Sequence, residues 1–276
     1  MINKNNIFYK SVILIVKIVI AVILLDTTYS LFLIFFKEPQ ERYLCVFTLI
    51  FIIFPITFIV FFKNRFIQKH PGFIKPWKIL RIIWAIIIIL VIALLAFGYF
   101  RLLEKNKTAA AIEFINSQKI TLDDVMGKNL PPEPDQKLNN STIAGIDADK
   151  NNIRDDVELA IFTKYPDSAK IRAAELQYAQ ALQLELTQVF NSDTLVSILQ
   201  KEDLAYQCLG STIMKKSLSA KDALAALDQK DKEVTDLILN TDLRKKQYSD
   251  EYDKYMTGYA SLSGPECNID LSSLPN

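Results

Sequence analysis

The chain has 276 residues and a formal charge of +1, but that near-neutrality is a sum of opposites: residues 1–104 carry 12 Lys and Arg against 4 Asp and Glu, and residues 105–276 carry 20 against 27. A split of +8 and −7 marks two parts that live in different surroundings. One histidine, His70, and three cysteines exclude a His/Cys zinc or copper centre and any chemistry that needs a histidine in the second part.

Three apolar runs, about 12–35, 43–62 and 80–100, each approach the ~20 residues that a helix needs to cross a bilayer. The first is too long for a signal peptide and lacks a small-residue cleavage site, so it reads as a retained helix. Together they predict a three-helix transmembrane anchor over residues 1–104. The link between the second and third runs is rich in Lys and Arg (Lys63, Arg65, Lys69, Lys75, Lys78, Arg81). The link between the first two offsets Lys37 and Arg42 with Glu38 and Glu41. Positive charge stays on the cytoplasmic side. The expectation is therefore a bacterial inner-membrane protein with a cytoplasmic N-terminus and a periplasmic C-terminal part.

Asp26 is the notable residue of the first run. Either it faces the helix bundle or a neighbouring chain, the functional reading of an intramembrane carboxylate, or the helix ends near Leu25 and Asp26 opens a polar bend. Pro55 implies a kink in the second run, and Trp77, Trp84 and Tyr99 suit interfacial anchoring of the third.

Residues 104–118 read as a helix leaving the membrane, within a juxtamembrane helix and linker at 105–128. Three prolines in Leu130-Pro-Pro-Glu-Pro-Asp135 forbid a helix and favour an extended spacer. The domain boundary is placed near residue 128, with a helical domain over 129–276.

Asp147 to Glu158 then carries oxygen-bearing side chains at positions 1, 3, 5, 9 and 12 of a twelve-residue loop. Calcium takes six to eight oxygens from such loops, often closed by a bidentate Glu at the twelfth position. Asp147, Asp149, Asn151, Asp155 and Glu158 are the candidate side-chain ligands. Ile153 would offer its carbonyl while its side chain anchors in the core. Position 6 is usually Gly because the chain turns sharply there. Here it is Asn152, the residue type that best tolerates a left-handed backbone after glycine. The alternative is a solvated acidic turn that caps the next helix.

The pattern D-x-D-x-N-x-I-x-D-x-x-E resembles one thrombospondin type 3 calcium loop, similar to an EF-hand with its apolar residue at position 7. The wider stretch of about 130–264 resembles an uncharacterised bacterial envelope domain carrying a single such loop. The resembling pieces are Leu130-Pro-Pro, Ala144-Gly-Ile-Asp147, Ile153-Arg-Asp-Asp-Val157, Tyr165-Pro-Asp-Ser168, Gln177-Tyr-Ala-Gln-Ala-Leu182, Cys208-Leu209, Ile238-Leu-Asn-Thr241 and Leu262-Ser-Gly264. The resemblance implies calcium as the bound ion and carries no catalytic residue. Thrombospondin repeats normally come in tandem, whereas this chain has one copy with Lys150 at position 4.

Beyond the loop no alternating strand pattern occurs. A short helix over 156–164 ends at Tyr165-Pro166, and Asp167 or Ser168 caps the next. That helix has a stripe of Ile171, Ala174, Tyr178, Leu182, Leu186 and Val189. A third helix runs from about Asp193 to Met214 with Leu195, Ile198, Leu199, Leu209 and Ile213 inward. Ser219 with Asp222 starts the fourth. Strict 3–4 spacing continues to Leu262, with a break marked by Thr241 and Lys245 and an end at Gly264-Pro265. The ladder Tyr248, Tyr252, Tyr255, Tyr259 reads as a core or helix-pairing stripe, with a ligand platform as the alternative. Cys208 and Cys267 can pair if this part faces an oxidising compartment.

The fold class expected is therefore all-α: three transmembrane helices, then a helical extramembrane domain with one calcium-binding loop. The function expected is a membrane-anchored module with a structural or protein-interaction role in the envelope, partnered by a protein and by the membrane and not by nucleic acid. Two alternatives stand beside it. One is an accessory or immunity component of an envelope transport or secretion system, supported by Asp26. The other is an envelope enzyme using carboxylates, for which no motif is evident.

Overall fold

Eight α-helices and one short 3-10 turn make up the regular structure of the computed structural model, which describes residues 74–213 and 219–275; no strand occurs among them. The apolar runs at 12–35 and 43–62 lie outside the described residues, as does Asp26. Contacts divide the chain between Phe100 and Arg101 into two compact units.

Helix α1, Ile74–Ser117, contains both the third apolar run and the juxtamembrane segment in one 44-residue element. Nothing between residues 100 and 104 breaks it: Arg101, Leu102, Leu103 and Glu104 all suit a helix interior. Among the described residues it is the one helix long and apolar enough to cross a membrane. Ile82, Ile86, Ile89, Leu90, Leu94 and Phe97 stand exposed on it, the surface expected of a segment whose solvent is lipid.

The second unit is built around one helix. In α2, Leu122–Met126, Thr121 and Asp124 form a reciprocal capping box, and Gly127 closes the helix at φ 72°. The proline-rich stretch that follows is extended, and Asp135 caps α3, Gln136–Asn139, by accepting from the Lys137 and Leu138 amides. The acidic loop that begins at Asp147 leads into α4, Asp155–Lys164. Ser168 caps α5, Ala169–Gln188. Helix α6, Ser192–Ile213, begins where Asn191 Oδ1 takes the Thr194 amide. Ser219 caps α7, Ala220–Ile238, and Thr241 caps α8, Asp242–Tyr255.

Helix α5 is buried on nearly every side, packed by α2, α4, α6, α7 and α8. Its small residues, Ala173, Ala174, Ala179 and Ala181, let those neighbours approach closely. The single stripe expected from the sequence is therefore too narrow a description. Leu176 and Leu184, off that stripe, are as buried as Leu182. For α6 the expected inward set holds: Leu195, Ile198, Leu199, Leu209 and Ile213 are all buried.

Two expectations need correction. The segment 105–128, expected as a juxtamembrane helix and linker, does more than link: Ile115, Ile120 and Val125 are core residues of the second unit, which begins at Arg101 rather than near residue 128. The last helix ends at Tyr255, well before Gly264-Pro265. Residues 259–261 instead lie along α6. Gln200 Nε2 donates to the Ala260 carbonyl, and Asp203 accepts from Tyr259 Oη and Ser261 Oγ. The tyrosine ladder is thereby split: Tyr248 packs against the core, Tyr252 is exposed, and Tyr259 is off the helix.

Cys208 on α6 is bonded to Cys267 in the C-terminal segment, 59 residues away. Closing a loop of that length restricts the unfolded chain by an amount on the order of 4 kcal/mol. Substituting Cys267→Ser should lower unfolding free energy by about 2–5 kcal/mol, read from denaturant melts of the oxidised protein, and a reductant should then have no further effect.

A second feature of the core is acidic. Glu185 on α5 is fully buried, and neither carboxyl oxygen has a partner outside the neighbouring Glu202 carboxyl of α6; Glu251 Oε2 on α8 is also buried and unpaired. Burial pushes Glu185 and Glu251 up to about 7. Glu202 is raised by burial first and by the Glu185 charge second, with Asp203 and Asp231 adding to it. The two acids can bond each other only with a proton between them. Raised folded-state values mean that this stability is present below the unfolded value near ~4.3 and is lost as pH climbs through about 7. Glu185→Gln, which keeps the shape and supplies an N–H donor, should flatten the fall in melting temperature between pH 5 and pH 8.

Candidate metal centre

The loop from Asp147 to Glu158 turns on two left-handed residues. Asn152, at the position usually held by Gly, has φ 62°, and Lys150 has φ 63°. Between them they fold the chain back so that Asp147 accepts from the Asn151 and Asn152 amides at 3.2 and 3.0 Å. Asn151 Oδ1 accepts the Ile153 amide at 2.7 Å, and the Ile153 side chain is fully buried. The far side is pinned by Ala148 N to Asp155 Oδ1 and Asp155 N to the Ile146 carbonyl, both at 2.9 Å.

These turns gather carboxylates. One oxygen from each of Asp147, Asp149 and Asp155 lies within 4.8 Å of the others. The Asn151 amide nitrogen donates to Asp149 at 3.1 Å and to Glu158 at 3.2 Å, so Glu158 faces the same space through Asn151. The three aspartates are thus gathered and Glu158 is tied to Asp149 through Asn151 Nδ2, while Asn151 Oδ1 is taken up by the Ile153 amide and the Ile153 side chain is buried. Asp155 does not cap its helix: Arg154 occupies the cap position without a side-chain bond, and Asp155 Oδ1 is taken by Ala148. Asp155, Asp156 and Glu158 nevertheless lie in the first turn of α4, the placement that the acidic-turn alternative also expects.

The electrostatics are those of an anion cluster lacking a counter-charge. Burial, then the hydrogen bond and charge of Asp149, pushes Asp147 up to about 6. Burial, then the Asp149 charge, pushes Glu158 up to about 8, and Asp155 is raised chiefly by burial. Clustered carboxylates resist ionising together unless a cation or a proton joins them. The donor set is all hard oxygen, the chemistry of Ca²⁺ rather than of a thiolate- or imidazole-seeking metal.

The surroundings that hold this loop were not evident from its own twelve residues. Arg154 is fully buried. Its Nη1 and Nη2 donate to the Ile238 and Leu237 carbonyls at the end of α7, at 3.1 and 2.6 Å, and its Nε pairs with Asp156 at 2.5 Å. Arg244 on α8, also fully buried, donates to the carbonyls of Asn139, Thr142 and Ile143 just ahead of the loop. Burial, and then the Arg154 charge, lowers Arg244 to about 10, still protonated at neutral pH. Gln180 and Gln183 of α5 hold the Asn151 and Ala144 carbonyls at 2.8 Å each. Asn152 Nδ2 reaches Gln118, just past the end of α1, at 2.8 Å. Gly145 sits at φ 69° against Arg154, where a Cβ would lie 2.6 Å from Asn139 Oδ1. A glycine two residues before an acidic loop was the one available sequence signal. The arginine contacts had none, since their acceptors are main-chain carbonyls remote in the chain.

The other sequence candidates fall elsewhere. Cys208 and Cys267 form a disulfide between α6 and the C-terminal segment, and Asp26 lies outside the described residues. Comparison of the chain with protein-family models, curated proteins and solved structures finds no match.

Charge relief gives a test of the cluster. With divalent cations chelated, Asp149→Asn should melt higher than the parent, because it removes the charge that raises both Asp147 and Glu158. A lower melting temperature would show that Asp149 is not repelled in this loop.

Proposed function

We propose that this chain is a membrane-anchored calcium-binding module whose helical domain serves a structural or protein-docking role at the periplasmic side of a bacterial inner membrane. One observation carries the reading: Asp147, Asp149 and Asp155 converge within 4.8 Å, with Glu158 tied to them through Asn151, on a loop bent by two left-handed residues. In this reading Asp147, Asp149, Asn151, Asp155 and Glu158 ligate through side chains and Ile153 through its carbonyl. The ion neutralises the cluster, and the loop then holds α1, α5 and α7 through Gln118, Gln180 and Arg154. The apolar surface of α1 supports the membrane anchor, and the Cys208–Cys267 bond supports an oxidising compartment. An extracytoplasmic loop of this kind suits weak affinity, on the order of 10⁻⁴–10⁻³ M.

Millimolar Ca²⁺ should raise the melting temperature of the detergent-solubilised full chain, by an increment that grows with the logarithm of concentration above Kd. Asp147→Ala or Glu158→Ala should abolish the increment while leaving the helical circular dichroism of the chelated protein intact. Equal melting with calcium and with chelator would overturn the proposal.

A further inference from the structure

A second cleft lies away from the acidic loop, where the C-terminal segment 262–268 crosses α6 beside the residues that follow α1. It encloses about 440 Å³. Two lysines line it: Lys119, just beyond α1, and Lys201 on α6. They lie close enough to repel, and Lys201 is lowered to about 8 by burial first and by the Lys119 charge second. Neither forms an ion pair among the described residues. Lys201 Nζ donates to the Gln118 carbonyl, which leaves it further N–H groups to give.

Asn268 lines the same cleft. Asn268 Nδ2 is buried and has no acceptor. The segment that carries it is held in place from two directions. Gln177 of α5 donates to the Glu266 carbonyl and accepts the Asn268 amide, both at 2.8 Å, and Cys267 is bonded to Cys208. Glu266 also lines the cleft, yet its carboxylate pairs with neither lysine. Leu204, Leu262 and Pro265 supply an apolar wall. Two ammonium groups held side by side repel each other, and one multivalent acceptor with negative charge relieves that repulsion.

We propose that this cleft binds a phosphate monoester, its oxygens taken by Lys119 and Lys201 and its organic stem laid against Leu204, Leu262 and Pro265. A monoester phosphate carries about −1.5 to −2 charge at pH 7 and three acceptor oxygens, which matches two ammonium groups better than a single carboxylate does. A soluble phosphate ester and a phosphatidic acid headgroup share this chemistry.

The test is calorimetric titration of phenyl phosphate into the full chain in phosphatidylcholine nanodiscs. One-to-one saturable binding is expected, tighter than that of inorganic phosphate because of the stem. It should weaken as pH rises past about 8, where Lys201 gives up its proton. Lys119→Met, at an exposed position, should weaken binding at least about tenfold without changing the melting temperature, and Lys201→Arg should retain it. Repeating the titration in discs doped with phosphatidic acid separates the sources: lost binding of the soluble probe assigns the cleft to the lipid headgroup, and unchanged binding assigns it to a soluble ester. No saturable heat at millimolar probe in phosphatidylcholine discs, or parental affinity in the Lys119→Met, Lys201→Met double variant, would overturn the proposal.

Discussion

Mutual repulsion among the carboxylates of one short loop is the constraint around which this domain is arranged. Asp147, Asp149, Asp155 and Glu158 share a space too small for all of them to ionise in isolation, and three of the four are pushed toward the protonated form. Among the described residues no Lys or Arg pairs with these four carboxylates. Arg154, the obvious candidate by position, points away and spends its guanidinium on the end of α7 and on Asp156. Main-chain amides and the Asn151 side chain supply neutralising dipoles. An arrangement that concentrates negative charge and withholds the counter-charge is suited to a cation from solution.

The same loop is also the structural junction of the domain. Contacts in four directions hold it: Asn152 Nδ2 donates to Gln118 beyond α1, Gln180 and Gln183 of α5 donate to the Asn151 and Ala144 carbonyls, Arg154 reaches to carbonyls of α7, and Arg244 of α8 holds the residues before the loop. Buried guanidinium groups suit this task because each presents a planar fan of donors to several carbonyls that would otherwise lie unsatisfied at helix ends. The loop thus joins the ends of α1, α5 and α7, and α1 continues into the apolar segment.

The core shows the same preference for charge held without a partner. Glu185 and Glu202 meet in the interior with no basic group between them, and protonation is the only compensation the described residues supply. Lys119 and Lys201 form the opposite case, two cations beside a cleft with no carboxylate taking them up. The disulfide and Gln177 fix the C-terminal segment over that cleft, so its shape depends on two anchors far apart in the chain.

Much of the secondary structure was legible because it rests on local rules. Ser168, Ser219 and Thr241 cap helices where short polar side chains precede apolar periodicity. The three prolines keep 130–135 extended, and the spacing of oxygens in Asp147–Glu158, with Asn152 at the turn, marked the loop. The apolar run near 80–100 was plain from composition. What the chain alone could not decide were matters of who meets whom. Tyr255 ends the last helix because Gln200 and Asp203 hold residues 259–261 along α6, although the helical spacing runs on to Leu262. Segment 105–128 belongs to the core because α5 offers it a surface. Arg154 and Arg244 matter through carbonyls about 84 and 105 residues distant, and a main-chain acceptor leaves no mark in sequence. Local pattern determined the elements and the donor atoms of the loop; packing alone decided which charges were buried without a partner, since desolvation depends on neighbours that only the folded chain assembles.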